Sequence, residues 1–320
     1  MTPGQREQWD EEGYFVVKGA LSKTEIKRIT EEVDKLDQES QRQGRDPDTL
    51  LDVANIIDTA VEGLFSPEHG HMGRRLQWEP NETFLSLIDH PNTLGLVCEA
   101  MGAAIQMTWS QALVRPATPS PGTRWHPDGP KPYYFPLING EYPLLQLKVG
   151  FFLTEIDRPD MGALCVVPGS HKNGFPKIPE GPEYALKITS FTDFRQVEQI
   201  DAGVPGARQL MVEPGDAIGM HNGLFHCVVR NTSNVRRKNL YYAYGPMWQR
   251  AGDRVDNPSE LLAGCTPVRR QLLGDMAGPN TNGGYHAYDE GTPLVQLFEG
   301  NGFVETLGQV DRDYIRQTQK

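Results

Sequence analysis

The chain has 320 residues and a formal net charge of −11, from 31 Lys+Arg against 42 Asp+Glu. That acidic balance speaks against a binder of nucleic acid or of anionic membranes, either of which would present a basic patch, and no apolar run approaches the ~20 residues of a membrane-spanning helix. Apolar content of 38% is enough for a sizeable core, while four scattered cysteines (Cys98, Cys165, Cys227, Cys265) form no C-x-x-C and fit neither a zinc ribbon nor a disulfide framework.

Buried reduced thiols and an N-terminus without an apolar h-region lead us to expect a cytoplasmic protein. The expected organisation is one domain over 1–320. Its first part, 1–104, reads as mostly helical. Gly13-Tyr14-Phe15-Val16-Val17 is a short strand, β-branched and aromatic. Ser22-Lys23-Thr24-Glu25 then forms a capping box, and Ile26, Ile29, Val33 and Leu36 follow at helical spacing. A polar stretch from Asp37 to Asp48 ends that helix. Glu68, His69 and His71 surround Gly70 and read as a flexible loop rather than a metal site, since nothing there fixes ligand geometry. His90 lies near a helix cap, and a second helix starts at Pro91 and runs through Leu94, Val97 and Met101.

From Ile105 the texture changes. Short apolar or aromatic runs alternate with Pro, Gly and Asn: Ile105–Ala112, Leu145–Thr154, Ala163–Val167, Gln209–Val212, Ala217–Met220, Phe225–Val229 and Leu240–Tyr244. Such spacing indicates an all-β sandwich or barrel over 105–245. The remainder, 246–320, carries a short helical patch at Val268–Leu273 and is expected to wrap the barrel.

The chain is organised around Arg124-Trp125-His126-Pro127-Asp128-Gly129. In an extended segment residues i and i+2 share a face, so His126 and Asp128 can reach one ion. Alone, the tripeptide reads as a turn of Pro, Asp and Gly. A 2-His-1-carboxylate set needs one more imidazole from another strand. His221 and His226, in the run Gly215 to His226, are rivals for that position.

Several motifs together resemble the phytanoyl-CoA dioxygenase family of Fe(II)- and 2-oxoglutarate-dependent oxygenases. Gly13–Val17 with the capped helix is similar to the family's opening, as is His90-Pro91. Phe152-Leu153-Thr154-Glu155 followed by Met161-Gly162-Ala163-Leu164-Cys165-Val166-Val167-Pro168-Gly169-Ser170-His171-Lys172 resembles its central segment. Pro214-Gly215-Asp216, His221, Leu224, His226, Asn231 and Arg237 stand at the family's spacing. The resemblance implies a mostly β fold with flanking helices, a double-stranded β-helix (jelly-roll, cupin-like) barrel. It also implies Fe(II) as metal and 2-oxoglutarate and O2 as cosubstrates. His126, Asp128 and His226 match the iron-binding positions, which leaves His221 as a neighbouring-strand histidine and His171 as a turn residue. Related halogenases carry a small residue in place of the carboxylate; Asp128 therefore implies oxygenation.

A cosubstrate with a distal carboxylate needs a buried cation, and the planar fork of Arg suits it. Arg236 and Arg237 face opposite sides of a strand; the family spacing selects Arg237 and leaves Arg236 as a solvated charge. Gln111 resembles a family position that helps hold the cosubstrate. For Lys148 two readings are open, a carboxylate contact or an outward edge lysine.

For the organic substrate, expected to be a small molecule, the sequence offers an aromatic loop with Tyr133, Tyr134 and Phe135, together with Met247, Trp248 and Arg250, as walls of the mouth. The expected reaction is hydroxylation of a C–H bond with release of succinate and CO2. Nothing in the chain demands a CoA thioester, for no clustered basic site for nucleotide phosphates is visible. Two other classes compete: a non-catalytic jelly roll that binds metal or ligand, and a Zn2+ hydrolase on the same three ligands. The latter leaves Arg237 without a purpose.

Overall fold

The computed structural model describes residues 1–57, 81–117, 122–123, 125–129, 138, 141–174, 204–253, 257, 259–275 and 293–298. Its elements in chain order are α1 (Pro3–Glu12), β1 (Tyr14–Val17), α2 (Lys23–Arg42), β2 (Leu51–Ala54), α3 (Glu82–Leu85), α4 (Leu94–Met101), β3 (Ile105–Arg115), β4 (Leu147–Phe152), β5 (Leu164–Val166), α5 (Ser170–Asn173), β6 (Arg208–Leu210), β7 (Ala217–His221), β8 (His226–Val228) and β9 (Arg237–Pro246). Three short helices follow: α6 (Ser259–Ala263), α7 (Pro267–Leu272) and α8 (Pro293–Phe298). No helix among the described residues is long and apolar enough to cross a membrane.

Two antiparallel sheets form the jelly roll. The larger has the strand order β1-β7-β4-β9-β3-β2 and the smaller β6-β5-β8. Side chains alternate across a strand, so each central strand of the large sheet feeds two cores. Val149, Phe151, Leu240, Tyr242 and Tyr244 point outward into a cluster with the helical residues Ile29, Val33, Phe84 and Val97. Phe152, Tyr241, Ile218 and Met220 point inward and meet Leu164, Cys165, Val166 and Cys227 of the small sheet. Burying one such Leu, Val or Phe side chain contributes roughly 1.5–3 kcal/mol. Both clusters together fix how the sheets face one another. Leu261, Leu272, Leu273 and Leu294 join the outer cluster, so the last described helices pack onto the sheet.

The expected strands are present, several with shifted ends. Differences have local causes. Helix α2 continues to Arg42, beyond the expected end, because Asp37 is buried and paired with both Arg45 and Arg236. Arg236 is thus half-buried in an ion pair rather than a solvated charge. Helix α4 starts at Leu94, with Pro91 in the turn before it; the His90 carbonyl accepts from Thr93 and Leu94, and its ring meets Glu25 at 3.2 Å. Helix α1 has no apolar periodicity, with Trp9 its buried residue, yet it carries a capping box at Thr2 and Gln5. Strand β2 has four residues and forms only because β3 lies beside it. Cys98, Cys165 and Cys227 are buried and Cys265 is at intermediate depth, none of them in a disulfide. Glu68, His69 and His71 lie outside the described residues.

Candidate metal centre

Thr123 and His126 pair with β8, and Asp128 lies against Asn222 in the turn before it. His126 and His226 exchange backbone hydrogen bonds, both at 3.0 Å, and the Asp128 N–H donates to the Asn222 carbonyl at 2.9 Å. These bonds register the H-x-D segment against β8. The side chains of His126, Asp128 and His226 consequently offer ligand atoms within 4.8 Å of one another, the one such His/Cys/Asp/Glu cluster among the described residues. The imidazoles of His126 and His226 lie 4.4 Å apart, centroid to centroid.

Second contacts orient two of these ligands. His226 Nδ1 lies 2.9 Å from the Leu224 carbonyl, which can only accept. Nδ1 therefore carries the proton, and Nε2 is left with a lone pair, as a metal ligand requires. Burial, opposed by the Asp128 charge, pushes the His226 imidazole down to about 4, so it is neutral at pH 7. Asp128 Oδ1 accepts from Lys148 Nζ at 2.7 Å, while Oδ2 is 3.8 Å from His226 Nε2. One carboxylate oxygen is held by the lysine and the other faces the imidazole. Burial alone would push this carboxyl up; Lys148, His226 and His126 outweigh it and hold it well below the usual carboxylate range.

Lys148 is therefore an inward residue of a central strand, and the carboxylate it reaches is that of Asp128. Its ammonium also sits over the Tyr241 ring, 5.5 Å from the centroid. Gly150 makes room for that ring: a Cβ there would stand 2.6 Å from a Tyr241 carbon. Gln111 lies on the same inner face, where its amide nitrogen donates to Asp52. Its donor end is thereby engaged within the chain.

Deeper on β9, Arg237 is fully buried, with its guanidinium over the Phe152 ring at 5.6 Å. Its Nε and Nη2 have no hydrogen-bond partner among the described residues. These two nitrogens form one edge of the guanidinium fork, the edge that takes a carboxylate side-on. Burial lowers the Arg237 pKa, while Tyr241 favours the charged form. Sequence reasoning missed two neighbours. Arg115, paired in register with Arg237, is also buried and is pushed down to about 10 by burial and by Arg237. Gly162, at φ +71°, permits their approach: a Cβ there would stand 3.2 Å from Cδ of each arginine. Asn239, two residues beyond Arg237 on the same face, is 1% exposed with both amide atoms unpartnered. The signal for Asn239 was the i+2 spacing from Arg237; for Arg115 it was only the register of β3 on β9.

His221 closes β7 outside this cluster. It stacks on Trp9 and His171 and accepts from the Gly223 N–H at 2.8 Å. His171 sits in the short α5 turn, buried. Trp248 is 61% exposed beyond the end of β9, Met247 is buried, and Arg250 stands at the rim of a cavity of about 410 Å³ that opens on His126 and Asp128. Tyr133, Tyr134 and Phe135 lie outside the described residues.

Residues 9–239 match the family model for phytanoyl-CoA dioxygenase. Among characterised proteins the chain is similar to the peroxisomal phytanoyl-CoA dioxygenase of Rattus norvegicus, 23% identical over 241 residues, which span 75% of this chain and 67% of that protein. The Mus musculus counterpart is 22% identical over 245 residues, 77% and 68% of the two chains. Among solved structures it resembles HygX from Streptomyces hygroscopicus with nickel, 2-oxoglutarate and hygromycin B bound, at a TM-score of 0.56 and 19% identity over 82% of this chain and 94% of that one. It also resembles the non-haem α-ketoglutarate-dependent carbocyclase SnoK from nogalamycin biosynthesis, at 0.51 and 19% over 81% and 94%. At this identity the structural likenesses establish the jelly-roll fold.

Proposed function

The chain belongs to the phytanoyl-CoA dioxygenase family, and from that premise we propose that it is an Fe(II)- and 2-oxoglutarate-dependent oxygenase. In this reading it hydroxylates a C–H bond of a small organic molecule, consumes O2 and releases succinate and CO2. The observation that carries the reading is the conjunction of two features on one inner face: the His126–Asp128–His226 set and the open guanidinium edge of buried Arg237.

The donor set fits Fe(II). Two imidazoles and one carboxylate leave open positions on the ion. Bound there, iron supplies the O2 activation that couples oxidative decarboxylation of 2-oxoglutarate to attack on a C–H bond. The side chains of this protein do the rest. The Leu224 carbonyl keeps the His226 proton on Nδ1 and so keeps Nε2 available. Lys148 takes Asp128 Oδ1 and leaves Oδ2, on the side of His226 Nε2, as the oxygen that would hold the metal. Arg237 receives the distal carboxylate of 2-oxoglutarate through Nε and Nη2, and the apolar walls Phe152 and Leu113 keep water from competing. A zinc hydrolase would use the same three ligands, but a dry arginine with an open edge would then have nothing to hold. The rat and mouse relatives are named for a CoA thioester; Asp128 keeps the carboxylate that oxygenation needs.

The test is an anaerobic Fe(II) titration in the presence of 2-oxoglutarate, on the wild type and on His226→Ala. We expect the weak visible metal-to-ligand charge-transfer band in the wild type alone. A folded, iron-loaded wild type without the band would sink the oxygenase reading.

A further inference from the structure

Resting on the oxygenase reading above, we propose that the organic substrate is a neutral, polyhydroxylated small molecule of sugar or cyclitol type, held by amide oxygens of Gln111 and Gln146. The cavity of about 410 Å³ that opens on His126 and Asp128 falls within the usual ~300–1,000 Å³ of small-molecule sites. Its wall is unlike most of them. Such sites are lined mainly by apolar side chains, whereas here Trp109 is the one large apolar side chain among the described lining residues. Among the described residues an acyl chain would find little to bury against.

The hydrogen-bonding sense of this wall is fixed by the protein itself. The Gln111 amide nitrogen donates to the Asp52 carboxylate, which can only accept, so the Gln111 amide is not reversible. The Gln146 amide nitrogen meets Thr108 Oγ1 at 3.2 Å. That hydroxyl gives its single proton to the Ala243 carbonyl at 3.3 Å and can therefore only accept from Gln146. Both glutamines have spent a donor inside the chain, and neither amide oxygen takes a hydrogen bond from a described residue. The two glutamines thus present amide oxygens fixed as acceptors, each beside one remaining amide N–H, and a ligand that satisfies those oxygens is rich in O–H or N–H groups.

Charge decides between those two. Asp128 is the single carboxylate among the described lining residues, and Lys148 already holds one of its oxygens, so an ammonium group would find no other described carboxylate to sit on. An anionic substrate would need a buried cation to pair with, and among the described lining residues Lys148 is engaged by Asp128 while Arg250 is exposed at the rim. A neutral polyol meets every condition. The Trp109 ring adds a flat face on which the C–H side of a sugar ring can lie.

The experiment uses the full chain loaded with Ni(II) and 2-oxoglutarate. Methyl α-glucopyranoside, myo-inositol, trehalose, decanoate and decanoyl-CoA are screened by saturation-transfer NMR. Succinate release is then measured with Fe(II) in air. We expect at least one polyol to bind and to raise succinate release, with its affinity falling at least tenfold in Gln146→Met. Gln111→Met, a second and independent loss of acceptor, should act likewise. The 2-oxoglutarate charge-transfer titration of Gln146→Met should match the wild type. Silence from every polyol beside a normal wild-type band would overturn this proposal alone, as would decanoyl-CoA or decanoate binding that tightens in Gln146→Met. A wild type without the band would remove the oxygenase reading and the substrate proposal with it.

Discussion

Strand β9 has two faces that solve their polar problem in opposite ways. On the outer face, Tyr242 donates to the Phe84 carbonyl at 2.8 Å and Tyr244 to the Ile88 carbonyl at 2.9 Å, each fully buried in the larger apolar cluster. On the inner face, Arg237 keeps two unpartnered nitrogens and Asn239 two unpartnered amide atoms, equally buried. Leaving such groups unpaired costs on the order of 1–3 kcal/mol each. The outer face is complete without a ligand; the inner face is not. The same backbone thus carries a face that stabilises the fold and one that tolerates instability in exchange for binding.

The largest expected effect comes from Lys148→Met. It strips a mostly buried carboxylate of its cation, and breaking such a pair by removing one partner typically costs about 3–5 kcal/mol. Urea unfolding of the metal-free protein should show the loss, and Fe(II), a replacement cation for Asp128, should restore much of it. A metal-independent loss would mean that Lys148 serves the fold alone. Next, Arg237→Ala should weaken 2-oxoglutarate binding on the order of 100-fold, about 3 kcal/mol, with the metal-free protein no less stable than the wild type. Retained affinity would place the cosubstrate elsewhere.

His221 belongs with the completed groups, and its signature is acid sensitivity. Burial, helped by His171, pushes its pKa down to about 3, below the ~6.5 of the unfolded chain. The unfolded state then binds the extra proton, so the stability is present above pH ~6.5 and is lost as pH falls towards 3. Between pH 6.5 and 5 this amounts to roughly 2 kcal/mol. His221→Gln should flatten that limb in urea melts taken across the range. An unchanged slope would show that His221 is not neutral in the fold.

Smaller effects sharpen the contrast on β9 itself. Tyr242→Phe should cost about 1 kcal/mol of stability by removing one hydrogen bond to the Phe84 carbonyl, which still accepts from the Leu87 N–H, with 2-oxoglutarate affinity untouched. Asn239→Leu should act in the opposite sense: the metal-free protein gains up to ~1 kcal/mol as an unpaired amide is removed, while cosubstrate affinity drops. Should Asn239→Leu destabilise the metal-free protein and leave affinity alone, the two faces would not differ in kind.

Much of the site was legible before any fold was known. The H-x-D spacing named His126 and Asp128, because i and i+2 share a face in any extended segment. The choice of His226 over His221 came from family spacing, and the structure brings His226, not His221, against the other two. The capping boxes are local chemistry, and Ser22 with Glu25 was readable; Thr2 with Gln5 was overlooked for want of an apolar stripe in α1. Asn239 was passed over because an asparagine in a strand looks unremarkable until its neighbours Leu113 and Phe152 are known to be apolar.

By itself, then, the sequence determined which residues can chelate, which helix ends are capped, and which strands alternate. Those properties depend on bonds within a few residues of one another. Tertiary structure decided that Lys148 spends its charge on Asp128, that Arg237 keeps an open edge, and that Gln111 and Gln146 turn their amide nitrogens toward Asp52 and Thr108. Each of these is a question of which polar group has already found a partner. Partners that lie tens of residues apart in the chain are chosen by strand register and sheet packing, and no local pattern encodes that choice.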